Sequence, residues 1–157
     1  MSAIRTKVTF HRLKMSKFRY PVDIDQFQKI REQGMLYVDK TDMVYNLADK
    51  YSYVFLARPR RFGKSLLCNT FKAYFKGQKE LFEGLKVMEL ETEWKTYPVL
   101  HFILSGLKDC TIADAKSKLE AFIGDYESVY GRNEADKTPG ARFRRLIHQA
   151  YVQTGEK

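Results

Sequence analysis

The spacing of apolar residues along the chain predicts a series of helices. In several stretches the apolar side chains recur every three or four positions, which places them on one face of a helix. Five stretches have this spacing: residues 24–34, 40–50, 63–75, 111–130 and 143–151. A shorter amphipathic turn or helix is expected at 79–85. Gly77 is typical of a helix C-terminus, and Thr111 with Asp114 has the spacing of a capping box.

Two further stretches lack helical spacing and predict buried strands. YSYVFLA (51–57) and YPVLHFILS (97–105) are continuous apolar runs, which are typical of strands covered on both faces of a parallel sheet. The order strand, loop, helix, strand, helix, helix predicts an α/β fold, a parallel sheet flanked by helices. Two strands do not complete such a sheet, so we expect the fold to be incomplete within these 157 residues.

The loop between the first predicted strand and the helix at 63–75 ends in Gly-Lys-Ser. A phosphate-binding loop (P-loop) has Gly, four residues and Gly-Lys-Ser/Thr between a strand and a helix. Gly63 would let backbone N–H groups approach phosphate oxygens, Lys64 supplies an ammonium group, and Ser65 offers a hydroxyl to Mg²⁺. We therefore predict a nucleotide-binding loop, with Ser65 as the metal ligand. Its residues are Arg58, Pro59, Arg60, Arg61, Phe62, Gly63, Lys64, Ser65 and Leu66.

Arginine stands where this loop usually begins with glycine. Pro59 restricts Arg58 to extended backbone, so Arg58 is compatible with the loop provided that the turn needs no positive φ there. Arg60 and Arg61 could balance phosphate charge, pair with acidic residues or contact a partner chain. The loop is therefore interpreted as a variant P-loop.

The net charge of +9 is concentrated at the N-terminus. Residues 1–20 hold six basic residues and no acidic one, which leaves 22 of the 28 basic residues against 19 acidic ones in the remainder. We predict a basic arm over residues 1–17, followed by a domain over 18–157. Such an arm could contact nucleic-acid phosphates, or be solvated chain without a partner.

The remaining composition bears on the surroundings of the protein. No apolar run reaches the length that spans a bilayer, so no membrane partner is expected. Cys68 and Cys110 have neither a disulfide framework nor metal-ligand spacing. We predict that both are buried thiols and that the protein is cytoplasmic.

Together these motifs resemble the bacterial AAA-ATPase-like family over about residues 18–157. The stretch Arg-Pro-Arg-Arg-Phe-Gly-Lys-Ser-Leu resembles the family signature, and Tyr37-Val38-Asp39-Lys40-Thr41 resembles a recurring phrase of its opening. The resemblance implies a P-loop domain that binds ATP and Mg²⁺, with Gly63, Lys64 and Ser65 in the Walker A roles. It also implies that a PD-(D/E)XK nuclease-like domain often follows at the C-terminus.

The resemblance further implies a Walker B strand, an apolar run that ends in Asp-Glu. No apolar run in the 157 residues ends in adjacent carboxylates. Phosphoryl transfer needs groups that hold Mg²⁺ and orient the attacking water. We therefore expect hydrolysis to require segments beyond residue 157, and this chain alone to be inactive as an ATPase.

Three functions remain open from the sequence. The first is the ATP-binding module of a longer ATPase. The second is a nucleic-acid-binding module that uses the basic arm, the loop arginines or a fused nuclease domain. The third is a non-catalytic interaction domain with a degenerate P-loop. Assembly into an oligomer is compatible with all three.

Overall fold

The computed structural model describes residues 19–104 and 110–155, so the predicted basic arm at 1–17 lies outside the described residues. The helices are α1 (Phe27–Glu32), α2 (Thr41–Lys50), α3 (Lys64–Phe75), α4 (Val87–Leu90), α5 (Ile112–Tyr130) and α6 (Pro139–Thr154), with a 3₁₀ turn at Lys79–Phe82. The predicted helices are confirmed, although α1 is shorter than predicted. Helix α6 begins earlier than predicted, because Thr138 caps it and Pro139 occupies its first turn.

The first group of helices packs around one hydrophobic cluster. The rings of Phe27 in α1 and Phe82 in the 3₁₀ turn have centroids 4.9 Å apart. Ala73 of α3 and Val87 of α4 complete this cluster together with Leu81 and Leu85. Hydrogen bonds from Arg31 connect α1 to the region of the 3₁₀ turn. Its guanidinium donates to the carbonyls of Leu81 at 2.7 Å and Glu83 at 2.6 Å.

Helices α5 and α6 form a separate pair that a buried ion pair holds together. The guanidinium of Arg142 donates to both carboxylate oxygens of Glu127, at 2.9 and 2.6 Å. Thr111 and Asp114 form the predicted capping box at the start of α5. Ile123 of α5 and Leu146 of α6 are fully buried. The pair is thus stabilised by both apolar and charged contacts.

The segment 95–104 runs from the first group of helices to the second. The backbone N–H of Tyr97 donates to the carbonyl of Phe75 at 2.7 Å, at the end of α3. Farther along, the Phe102 ring lies 5.6–5.8 Å from the rings of Phe122, Tyr126 and Phe143. The segment therefore forms a wall that faces α3.

The predicted P-loop NTPase-type parallel sheet is wrong for the described residues, where residues 51–57 and 97–104 form no strand. Tyr53 and Phe55 are 95% and 93% exposed, so the first run is not covered on both faces as predicted. The backbone N–H of His101 donates to the Tyr126 hydroxyl at 2.7 Å instead of to a neighbouring strand. A continuous apolar run shows that a segment can be covered, but a strand also needs a paired neighbour.

The prediction that both cysteines are buried is also wrong, because Cys68 and Cys110 are exposed. Cys68 lies on α3, whose buried positions are Thr70 and Ala73. The apolar spacing identified the helix, but the cysteine lies on its outer face.

Candidate functional site

The loop that precedes α3 turns through two left-handed residues. Gly63 is the N-cap of α3 and has a φ of 73°, a conformation that glycine adopts without a Cβ penalty. Arg61 has a φ of 67°, which is uncommon for a residue with a side chain. Helix α3 begins directly after Gly63, and the first N–H groups of a helix have no acceptor within that helix. The loop thus leads directly into the N-terminus of α3, a helix end that favours anions.

Lys64 closes this loop on itself. Its ammonium donates to the carbonyls of Arg58 and Pro59, both at 2.7 Å. Arg58 therefore contributes its backbone carbonyl to the closure, which any residue type can do. Its φ is not among the positive ones, so the position does not need the glycine that usually stands there. The arginine is compatible with the loop for both reasons.

The other predicted loop residues are open to solvent. Arg60, Arg61 and Phe62 are exposed, and neither arginine forms an ion pair with a carboxylate of the described residues. Ser65 is exposed in the first turn of α3, whereas Leu66 is half-buried against the hydrophobic cluster. The loop therefore offers backbone groups, a hydroxyl and cations to an incoming ligand.

The residues of the loop fit Mg²⁺ only when phosphates are bound there as well. In the part of the chain that the structure describes, no three His, Cys, Asp or Glu side chains lie close enough to hold a metal ion. Magnesium in nucleotide sites keeps several waters and takes few protein ligands besides the phosphates. The Ser65 hydroxyl suits that role as a single oxygen ligand. A metal site without phosphates is not expected at this loop.

Two cavities adjoin the loop. An apolar cavity of about 430 Å³ lies beside α2, and Leu56, Phe62 and Gly63 are among its lining residues. A groove of about 690 Å³ lies on the other side, between α3 and residues 101–104, and both Lys64 and Ser65 line it. The loop therefore separates an apolar site from one that carries basic side chains.

Asp39 fixes the helix α2 that lines the apolar cavity. One carboxylate oxygen accepts the backbone N–H and the hydroxyl of Thr41, at 2.9 and 2.7 Å, and the other accepts the N–H of Lys86 at 2.8 Å. The Thr41 hydroxyl in turn accepts the N–H of Val87 at 3.1 Å. Burial opposes ionisation, but these hydrogen bonds and the Lys86 charge hold the pKa of Asp39 below its ordinary value. The network joins the starts of α2 and α4.

The chain belongs to the AAA-ATPase-like family, described as predicted AAA-ATPases, whose model matches residues 21–157. Membership supports a nucleotide-binding module. The chain is also 35% identical, over 144 residues, to a protein of Azotobacter chroococcum mcd 1 named "Uncharacterized protein in vnfD 5'region". The match covers 91% of this chain but 28% of that relative. No solved structure matches the chain.

Among the described helices, none combines the length and the apolar character that a membrane crossing requires. This finding agrees with the absence of a long apolar run in the sequence.

Sequence reasoning missed the basic side chains of the groove. Lys72, Lys76 and His101 line it together with Lys64. A signal was present, because Lys64, Lys72 and Lys76 recur at multiples of four residues along α3. The position of His101 opposite them depends on how residues 95–104 pack, which the spacing of residues does not indicate.

Proposed function

We propose that the loop at residues 58–66 binds the phosphates of ATP together with Mg²⁺, as the nucleotide-binding module of a longer ATPase. The observation that carries this proposal is the position of Lys64, whose ammonium is held across the loop at the start of a 12-residue helix. A cation, the N–H groups of a helix start and a left-handed glycine are the parts from which phosphate sites are built. Family membership supports the same assignment.

In the proposed complex, Lys64 exchanges its two carbonyl acceptors for oxygens of the β- and γ-phosphates. The hydroxyl of Ser65 would then hold Mg²⁺, which would supply positive charge to neutralise the phosphates. The exposed Arg60 and Arg61 add positive charge at the rim. Hydrolysis requires, in our proposal, groups from segments beyond residue 157, since no carboxylate of the described residues pairs with this loop.

The apolar cavity beside α2 is the proposed position of the base. It opens next to Gly63 and is lined by Met43 and Leu47 of α2, so an aromatic base entering it would leave water for an apolar surface. Filling the cavity with Met43→Trp should lower the affinity for ATP and leave the affinity for inorganic triphosphate unchanged. Equal losses for both ligands would place the base elsewhere.

The test of the proposal is equilibrium binding of a fluorescent ATP analogue with and without Mg²⁺. Removing a charge-assisted hydrogen bond to phosphate costs about 1.5–3 kcal/mol, so Lys64→Ala should raise the Kd at least tenfold. Lys50→Ala, at the exposed end of α2, is the matched control and should leave the Kd unchanged. Ser65→Ala should weaken binding only when Mg²⁺ is present.

Unchanged affinity in the Lys64 variant would overturn the proposal and favour an interaction domain with a degenerate loop. We expect no ATP turnover by this chain alone, whichever variant is measured. Turnover by this chain would contradict the proposed need for further segments.

A further inference from the structure

The groove between α3 and residues 101–104 has one basic wall. Lys72 of α3 and Lys76, directly after the end of that helix, line it, and His101 faces them from the opposite wall. Neither lysine forms an ion pair with a carboxylate of the described residues. Asp25, which precedes α1, is the acidic residue among the lining side chains. The groove therefore carries a net positive charge that no part of the described chain neutralises.

The opposite wall is largely apolar. Ile103 and Leu104 are 53% and 54% exposed and line the groove beside the half-buried Phe102. Burial and the nearby Lys72 charge lower the pKa of His101, so the imidazole is neutral near pH 7 and can take up a proton when an anion approaches Lys72.

We propose that this groove binds single-stranded nucleic acid, with phosphodiester groups along Lys72 and Lys76 and bases against residues 102–104. The two lysines lie about 6 Å apart along the helix and about 12–18 Å from Lys64, at a rise of 1.5 Å per residue. That length exceeds one triphosphate chain but suits several nucleotides of a strand, which advances about 3.4 Å per residue in a duplex. Proteins that bind single strands without reading their sequence combine a basic groove with aromatic side chains on which bases stack. Phe102 is the aromatic residue of the apolar wall.

This inference goes beyond the proposed nucleotide site and does not depend on it. Lys72 and Lys76 lie two and three turns along α3 from the loop, and they are not needed to hold a triphosphate there. Lys64→Ala should therefore raise the Kd of the ATP analogue at least tenfold while much of the oligonucleotide binding remains. Failure of one proposal can thus be told apart from failure of the other.

The experiment measures fluorescence anisotropy of a labelled 12-nucleotide thymidine strand with the full chain at several salt concentrations. The double variant Lys72→Gln/Lys76→Gln should weaken binding at least tenfold at low salt. Because single strands lose about 0.7 of a counterion per neutralised phosphate, the slope of log K against log salt should become shallower by about 1.4. The double variant Lys50→Gln/Lys137→Gln removes the same charge from exposed sites outside the groove and should change binding less than twofold.

His101 supplies a second readout. The wild-type protein should bind the strand more tightly at pH 5.5 than at pH 7.5, and His101→Asn should remove that gain while the exposed control His148→Asn keeps it. Equal losses in the groove and control double variants would overturn the proposal, since the binding would then depend on total charge. Competition by a glutamate-rich peptide with the same dependence on Lys72 and Lys76 would also overturn it, in favour of an acidic protein partner.

Discussion

Replacing Arg142 by methionine would leave the carboxylate of Glu127 buried without its cation. The two side chains are 13% and 6% exposed, and two hydrogen bonds join them. The pair holds α5 against α6 beside the buried Ile123 and Leu146. Removing one partner of a buried ion pair costs about 3–5 kcal/mol, because the other charge stays desolvated. We expect Arg142→Met to lower the free energy of unfolding by about 3 kcal/mol, at the lower end because Arg142 is not fully buried.

The measurement is urea denaturation followed by far-UV circular dichroism. Arg144→Met, at an exposed position of the same helix, is the control and should change the free energy by less than about 0.5 kcal/mol. The double variant Glu127→Leu/Arg142→Met should recover most of the loss, since apolar residues replace a buried pair at little cost. A loss below about 1 kcal/mol for Arg142→Met, or no recovery in the double variant, would refute this account of the helix pair.

Two further predictions concern the loop and the network that supports it. Asp39 has a lowered pKa in the folded protein, so its stabilisation is complete above the ordinary value of 3.8 and is lost as the pH falls through the folded value. In acid titrations, the difference in unfolding free energy between the wild type and Asp39→Asn should therefore shrink below about pH 4. A difference that stays constant with pH would contradict this role of Asp39. Gly63→Ala should lower the free energy of unfolding by about 1–2 kcal/mol, measured by heat or urea, because the φ of 73° is unfavourable for alanine. The added Cβ itself meets no atom within 4 Å. No loss of stability would mean that the loop relaxes to another conformation.

Local patterns predicted the helices well because their signals lie within one turn of chain. The capping box joins Thr111 to Asp114, and Gly77 follows the end of α3. Both signals involve residues that are close in sequence. The apolar spacing predicts a later start of α6 than the structure shows, because the start signal is a capping threonine followed by a proline and not an apolar residue. Such a start signal is readable when a capping residue directly precedes proline.

The predicted strands are absent from the described residues because a strand needs a neighbouring strand to pair with. The runs at 51–57 and 97–105 have the composition of covered strands, but pairing depends on residues distant in sequence. In the described chain, Phe102 packs on α5 and α6, and the Tyr126 hydroxyl bonds the backbone of His101. Side chains of two helices thus take the place that strand neighbours would occupy.

The sequence predicts which residues form the candidate loop, but it does not predict how Lys64 closes that loop. Gly-Lys-Ser before a helix indicates phosphate chemistry from the sequence alone. The carbonyls that Lys64 contacts, and the position of His101 across from Lys72, follow only from the packed chain. The Lys64 contacts use backbone carbonyls, which every residue type has, and the position of His101 depends on how residues 95–104 pack. The sequence pattern predicts neither.

The bonds from Lys64 to Arg58 and Pro59 also affect the thermodynamics of any ligand that enters the loop. The ammonium already has two carbonyl acceptors, so an arriving phosphate displaces existing hydrogen bonds and adds few. The enthalpy of ligand binding should therefore be less favourable than the number of new contacts suggests. Release of the Lys64 ammonium from these two carbonyls then becomes a step that precedes or accompanies ligand binding.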